Sequence, residues 1–265
     1  MAQEERQLTL EELRRISEQV GERRGWDFSR VRDALDPVPW DYAEVVRRYL
    51  KPADRVLDIG TGGGERFFAL AGDFGVGIGI DSDAAMVQVA REDTPTSLAA
   101  RVSFRLMDAA GLDLPDASFD VVLNRHSEIY PGEIARVLRP DGTFITQQVG
   151  RRNTLNVLAA FGWGTESFGE GWWQDMDELC RKFQEAGCRV VARGEYDVRY
   201  WFLDVESFVF WLKAAPLPDV FDVEKHWQSV DEVLRAYRTP KGIETNEHRE
   251  LLIVQKRSAG WTSSR

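Results

Sequence analysis

Residues 55–64, Arg-Val-Leu-Asp-Ile-Gly-Thr-Gly-Gly-Gly, constrain the fold of this chain more than any other stretch. A short apolar run, Val56, Leu57 and Ile59, passes directly into a glycine-rich turn, and Glu65 to Leu70 then opens a helical apolar pattern. A continuous run of this kind suits a strand buried on both faces, which places it inside a parallel sheet covered by helices. Gly60, Gly62 and Gly64 give the turn backbone that can take positive φ and be approached closely. The helix start adds N–H groups with no partner of their own, so the unit reads as a ligand platform.

A spaced-glycine turn is a weak signal alone, and the next strand decides its meaning. This second strand, Gly75 to Ile80, ends at Asp81, about twenty residues beyond the turn, where nucleotide-binding α/β folds place a ribose-binding carboxylate. The turn itself is Asp58-Ile59-Gly60-Thr61-Gly62-Gly63-Gly64, with an acid two residues before the first glycine. The pyrophosphate fingerprint G-x-G-x-x-G spaces its third glycine one position later. Three further motifs come in order along the chain: Leu106-Met107-Asp108-Ala109, Ser118 to Asn124, and Glu133 to Phe144.

With these five motifs the chain resembles the class I S-adenosylmethionine-dependent methyltransferases, in particular their type 11 small-molecule group, over about residues 52–150. The resemblance implies an α/β fold: a Rossmann-like, seven-stranded, mostly parallel sheet with an antiparallel seventh strand and helices on both faces. It implies S-adenosylmethionine as cofactor, S-adenosylhomocysteine as product, and no metal. The cofactor turn would comprise Asp58, Gly60, Thr61, Gly62 and Gly64. Asp81 would take the ribose hydroxyls, with Ser82 and Met86 beside it, and Asp108 and Ala109 would meet the adenine edge. Asn124 would complete the set at the end of the fourth strand.

Composition narrows the partners. Asp and Glu number 44 against 34 Lys and Arg, for a formal charge of −10, which disfavours a phosphate backbone as substrate. Two cysteines and three scattered histidines offer no metal spacing, and reduced, buried thiols are expected. The N-terminus lacks a signal-peptide pattern and no apolar run approaches membrane-spanning length, so the expectation is a cytoplasmic protein, monomeric or homodimeric, with no membrane partner.

Along the chain, Thr9 to Glu12 is a capping box that opens a helix, followed by an aromatic stretch from Gly25 to Trp40. Residues 1–51 therefore read as a helical arm or lid, 52–202 as the cofactor-binding core, 203–240 as a helical, aromatic insertion, and 241–265 as the last strand and a loose tail. That last strand is expected at Leu251 to Val254.

The acceptor should lie past the carboxyl ends of the strands, where Asn124-Arg125-His126 leaves the fourth. His126 is the candidate general base, because an ordinary imidazole titrates near pH ~6.5; the bland alternative is a loop histidine bonded to backbone. Trp26, Trp40, Arg125 and Gln148 are candidate acceptor-binding residues, although aromatic residues in such an arm serve equally as anchors. Asn124-Arg125-His126-Ser127 lacks the Pro-Pro-aromatic pattern of enzymes that methylate exocyclic base nitrogens, and no Pro-Cys nucleophile is present. The readings are a small-molecule methyltransferase, an RNA or protein methyltransferase, and a module that binds the cofactor without turnover.

Overall fold

The computed structural model describes residues 7–169 and 172–258. In chain order the elements are α1 (Leu10–Val20), β1 (Asp33–Leu35), α2 (Tyr42–Arg47), β2 (Arg55–Ile59), α3 (Glu65–Leu70) and β3 (Val76–Asp81). Then come α4 (Ala84–Glu92), β4 (Val102–Leu106), β5 (Phe119–Arg125), α5 (Pro131–Val137), β6 (Leu138–Val149) and α6 (Leu155–Ala160). The chain closes with α7 (Met176–Glu185), β7 (Cys188–Phe202), α8 (Val205–Ala214), α9 (Val223–Tyr237), β8 (Arg238–Thr239) and β9 (Gly242–Lys256). The Thr9 capping box forms as the sequence suggests: Glu12 N–H donates to the Thr9 hydroxyl at 3.2 Å, and Thr9 N–H to the Glu12 carboxylate at 3.0 Å.

The strands lie in the order β1-β7-β9-β6-β5-β2-β3-β4, with β8 paired to β9. β4, β3, β2, β5 and β6 run parallel, whereas β9 is antiparallel to both β6 and β7. The order reverses between β2 and β5, where chain ends diverge and leave a crevice. Two strands exceed the seven expected. β1 covers the outer edge of β7, and β8 is the short leg of a hairpin into β9. At three and two residues they are too short to carry a period, so only the need to pair an open edge creates them.

β9 also begins nine residues before the expected start, at Gly242. Residues 244–250 look unlike a strand because polar groups occupy both faces. Their partners explain this: Trp201 Nε1 donates to Glu244 at 3.0 Å, Tyr196 to Glu247 at 2.6 Å, and His248 Nε2 lies 2.9 Å from Glu195. Alternation here segregates hydrogen-bonding partners instead of hydrophobicity.

Alternate residues on each strand feed two cores. Leu57, Ile59, Val122, Phe144, Leu252 and Val254 face α5 and α7, while Val56, Val121, Leu123, Ile145 and Ile253 face α2, α3 and α4. A third core joins the N-terminal helix to the insertion: Leu13 and Val20 of α1 pack with Phe208, Val209 and Leu212 of α8 and with Val230 and Val233 of α9. Leu8 N–H donates to the buried Asp231 carboxylate at 2.9 Å, and Arg14 forms a bidentate pair with Glu224. The insertion's rings are accordingly core: Phe208 and Trp211 pack at a tilt against Phe202 of β7, and His226 is enclosed by Phe161, Trp163 and Phe221.

Cys180 and Cys188 are free, and burial pushes both thiols up. Most of the expected tail, residues 259–265, lies outside the described residues. Among the described residues no helix is long and apolar enough to cross a membrane.

Candidate active site

The β2–α3 turn lies at the crevice. Gly60, Gly62 and Gly64 all have positive φ, at 71°, 57° and 84°. Gly60 and Thr61 both donate backbone N–H to Ile80 O, at 2.9 and 3.0 Å, which holds the turn against the end of β3. Asp81 joins the same arrangement: one oxygen accepts from Gly62 N–H at 2.9 Å and the other from Asp83 N–H at 3.0 Å. Each carboxylate oxygen has a second lone pair, so the group keeps acceptor capacity for a ligand. Met107 N–H donates to Asp81 O at 2.9 Å, bringing the 107–110 loop alongside. Asp108 is exposed there, with one oxygen accepting from Ala110 N–H at 2.8 Å, and Ala109 follows it. Ser82 is exposed and Met86 half-buried on the first turn of α4.

Two side chains rest directly on the glycine backbone. A Cβ at Gly60 would meet Ser127 Cβ at 2.3 Å, and one at Gly62 would meet Trp26 Cβ at 3.0 Å. Bare backbone is therefore required at both positions for fit as well as for φ. Trp26 comes from the N-terminal arm, its N–H donating to Glu65 Oε1 at 2.8 Å, with the Arg23 guanidinium 3.9 Å from its ring centre. Arg24 ties the same segment to Glu92 and Asp93 of α4. This segment of the arm lies over the turn, so Trp26, expected at the acceptor, touches the glycine motif.

Asp58 shares a strand face with Val56 and lies next to Thr61 of the turn. It retains a partly open surface, yet the surrounding protein strips so much water from it that burial raises its pKa to about 7. Thr61 and Arg125 oppose the rise and Asp81 adds to it. The Thr61 hydroxyl is itself buried without a well-formed hydrogen bond among the described residues. The sign of the resulting pH effect is definite. Between the ordinary 3.8 and about 7 the unfolded chain has released the proton and the folded chain has not, so stability falls as pH rises through this window and levels off above it. Asp58→Asn lacks that loss. Its stability relative to the parent should rise between pH 5 and 8 by on the order of 1–3 kcal/mol in urea unfolding. A difference independent of pH would contradict the buried-carboxyl reading.

At the end of β5, Asn124 is fully buried and spent within the protein. Its Oδ1 accepts from Gln148 Nε2 at 2.7 Å and Thr146 Oγ1 at 3.2 Å, and its Nδ2 donates to Glu128 O at 3.0 Å. Gln148 Nε2 also reaches Thr146 Oγ1 at 2.8 Å and Ser127 O at 3.3 Å. Asn124 and Gln148, expected at cofactor and acceptor, thus form a hub that fixes the 124–128 loop. Trp40 likewise anchors: its Nε1 donates to Gln147 Oε1 at 2.9 Å and its ring packs edge-on against Tyr196 at 4.7 Å.

The hub presents Arg125 and His126. His126 has φ 60°, held there by its N–H donating to Gln147 O at 3.0 Å. Burial first, then the charges of Arg125, Arg249 and Arg66, hold the imidazole well below its usual range. It is neutral at pH 7 and a weaker base than free histidine. Tyr42, whose hydroxyl lies 3.3 Å from Asn124 O and 3.4 Å from Ile145 O, is pushed up by burial and stays protonated. Tyr196, Glu247 and Arg249 are not among the expected site residues: Glu247 and Arg249 lie on the part of β9 whose polarity hides the strand, and Tyr196, on β7, comes to them only through the pairing of β7 with β9. Counting parity from Arg125 through its partner Gln147 to β9 places Glu247 and Arg249 near it.

Two open surface clefts, of about 380 Å³ beside α1 and α8 and about 560 Å³ beside α9, are lined by none of the residues of the glycine turn. Their size counts for less than the convergent groups at the crevice.

Comparison with known proteins agrees with this geometry. Residues 50–192 match the family described as "Methyltransferase domain". Over 120 residues the chain is 33% identical to 2-methyl-6-phytyl-1,4-hydroquinone methyltransferase of a Synechocystis species, covering 42% of this chain and 37% of that protein. Over 98 residues it is 36% identical to the uncharacterized methyltransferase YcgJ of Bacillus subtilis, covering 34% and 39%. The chain thus matches little more than a third of the length of these relatives. The crystal structure of YcgJ superposes on 82% of this chain and 99% of its own with a TM-score of 0.58 at 20% identity, a likeness of fold. Matched over more than half its length, with the motif turn at the reversal of strand order, the chain belongs to the methyltransferase domain family.

Proposed function

We propose that this protein is an S-adenosylmethionine-dependent methyltransferase acting on a small-molecule acceptor. The observation that carries the reading is the left-handed glycine turn locked to Asp81 at the crevice between β2 and β5. The residues fit an adenosyl amino-acid ligand: bare backbone at Gly60 and Gly62, acceptor-only carboxylates at Asp81 and Asp108, and the backbone N–H of Ala109. Asp58, Thr61 and Gly64 belong to the same turn; Ser82 and Met86 border the ribose side. Asn124 acts at one remove, by fixing the loop.

When bound, the cofactor supplies an electrophilic methyl group on a sulfonium. The chain's part is alignment and exclusion of water. Gly25 and Trp26 lie over the turn, so this segment of the arm serves as a lid, and Arg24 fastens it to α4. Ser127 and Trp26 close the Cβ side of Gly60 and Gly62, which leaves the other side of the turn for a ligand. His126 is the base available to an acceptor, working from its neutral form, and the nearby arginines oppose its protonation. It suits acceptors whose proton becomes acidic as the methyl arrives. Trp40 and Gln148 shape the acceptor wall through the contacts described above.

The acidic balance and the quinol-directed relative favour small molecules over RNA or protein. Incubation with tritiated S-adenosylmethionine and panels of phenols, amines, RNA and protein tests the reading. Label is expected in a small molecule; label confined to RNA or protein would replace the acceptor class, and tight cofactor binding without turnover on any panel would favour a binding module.

A further inference from the structure

Arg125 ends a strand face otherwise built of Val121 and Leu123, facing α2. Among the described residues its guanidinium makes no hydrogen bond and no ion pair, although part of its surface remains open to the crevice. The charges around it do not compensate. Arg66 and Arg249 add positive potential, and Glu247 is spent on Tyr196 at 2.6 Å and Arg249 at 2.8 Å. Asp58 lies within electrostatic reach, but its own burial favours the neutral acid. Burial lowers the Arg125 guanidinium to about 10, which still leaves it charged at neutral pH. Next to it His126 Nε2 is buried with no partner among the described residues, on backbone strained into the left-handed region. Folding therefore holds an unpaired cation and an unpaired ring nitrogen side by side, an arrangement that costs stability and persists where a ligand uses it.

We propose that Arg125, assisted by His126, is the carboxylate-binding site of this crevice. A planar guanidinium matches a carboxylate with two parallel hydrogen bonds, and His126 can donate a further one from Nε2 in the tautomer that leaves Nδ1 as its basic nitrogen. A single unpaired guanidinium beside Asp58 suits a monoanion better than a phosphate dianion. Resting on the proposed function, the inference admits two sources for the carboxylate: the amino-acid end of the cofactor, or an acidic group on the acceptor, flanked by the rings of Tyr42, Trp40 and Tyr196.

Calorimetric titration of the parent protein, Arg125→Met and Arg125→Lys separates them. The probes are S-adenosylhomocysteine, 5′-methylthioadenosine, which lacks the amino-acid end, and benzoate against benzamide on the protein saturated with S-adenosylhomocysteine. Arg125→Met should lose about tenfold or more on one carboxylate probe while 5′-methylthioadenosine stays within about twofold, and Arg125→Lys should recover part of the loss. Loss on S-adenosylhomocysteine assigns the cofactor; loss on benzoate alone assigns the acceptor. Unchanged binding of both by Arg125→Met overturns the proposal. A parent that binds no S-adenosylhomocysteine overturns the methyltransferase reading instead, and benzoate against benzamide on the ligand-free protein then decides the site. Thermal unfolding supplies an independent check: removing an unpaired, partly buried charge should raise the ligand-free midpoint, and a marked drop would make Arg125 structural and end the proposal.

Discussion

Asp81→Ala should weaken binding of S-adenosylhomocysteine by about 1.5–3 kcal/mol, roughly ten- to a hundredfold or more in calorimetry. Two effects act together. The variant removes the carboxylate placed for the ribose hydroxyls, and it leaves Gly62 N–H without its 2.9 Å acceptor, so the turn loses one of its ties to β3 and keeps only the backbone bonds of Gly60 and Thr61 to Ile80 O. Asp81→Asn separates these, because its amide oxygen can still accept from Gly62 while the charge is gone; it should bind with intermediate affinity. Full affinity in Asp81→Ala would remove Asp81 from the site and with it the ribose assignment.

Phe144→Ala should cost about 3–5 kcal/mol of folding stability, measured by urea unfolding. Phe144 is fully buried on β6, opposite Val122 on one side and Val254 on the other, with the Phe183 ring of α7 at 5.1 Å. Strands on both sides and a helix above leave no neighbour free to move into the space, so the cavity should persist rather than collapse. A loss below about 1 kcal/mol would mean that α7 closes onto the sheet, contrary to a rigid packed core. Because Phe144 points away from Arg125 and Asp58, affinity for S-adenosylhomocysteine should be nearly unchanged wherever the variant remains folded.

Much of the central sheet was legible because its signals are local. Val56 to Gly64 combines burial on both faces with backbone that only glycine tolerates, and Asp81 follows at a distance set by one helix and one strand. The capping box at Thr9 is equally local and forms as the sequence suggests. The polar half of β9 was not legible. Its residues 244–250 are paired across strands and over more than forty residues of sequence, as Trp201 is with Glu244, and no period records such partners. The strand count failed for a related reason: β1 exists because β7 has an open edge, a fact about the sheet that Asp33 to Leu35 does not state.

The site divides in the same way. The sequence by itself determined the glycine turn, the two acids at the ends of β3 and β4, and the positions of Arg125 and His126 after the next strand, because each depends on spacing along one βα unit. Only the tertiary structure decided how these groups are used. It turned Asn124 and Gln148 into an internal hub, laid Trp26 on Gly62, and packed the aromatic insertion against α1 as a core. It also left the Arg125 guanidinium and His126 Nε2 without hydrogen-bond partners among the described residues. Burial and charge compensation depend on what elements distant in the chain bring to the same place, and that is settled by packing, not by neighbouring residues.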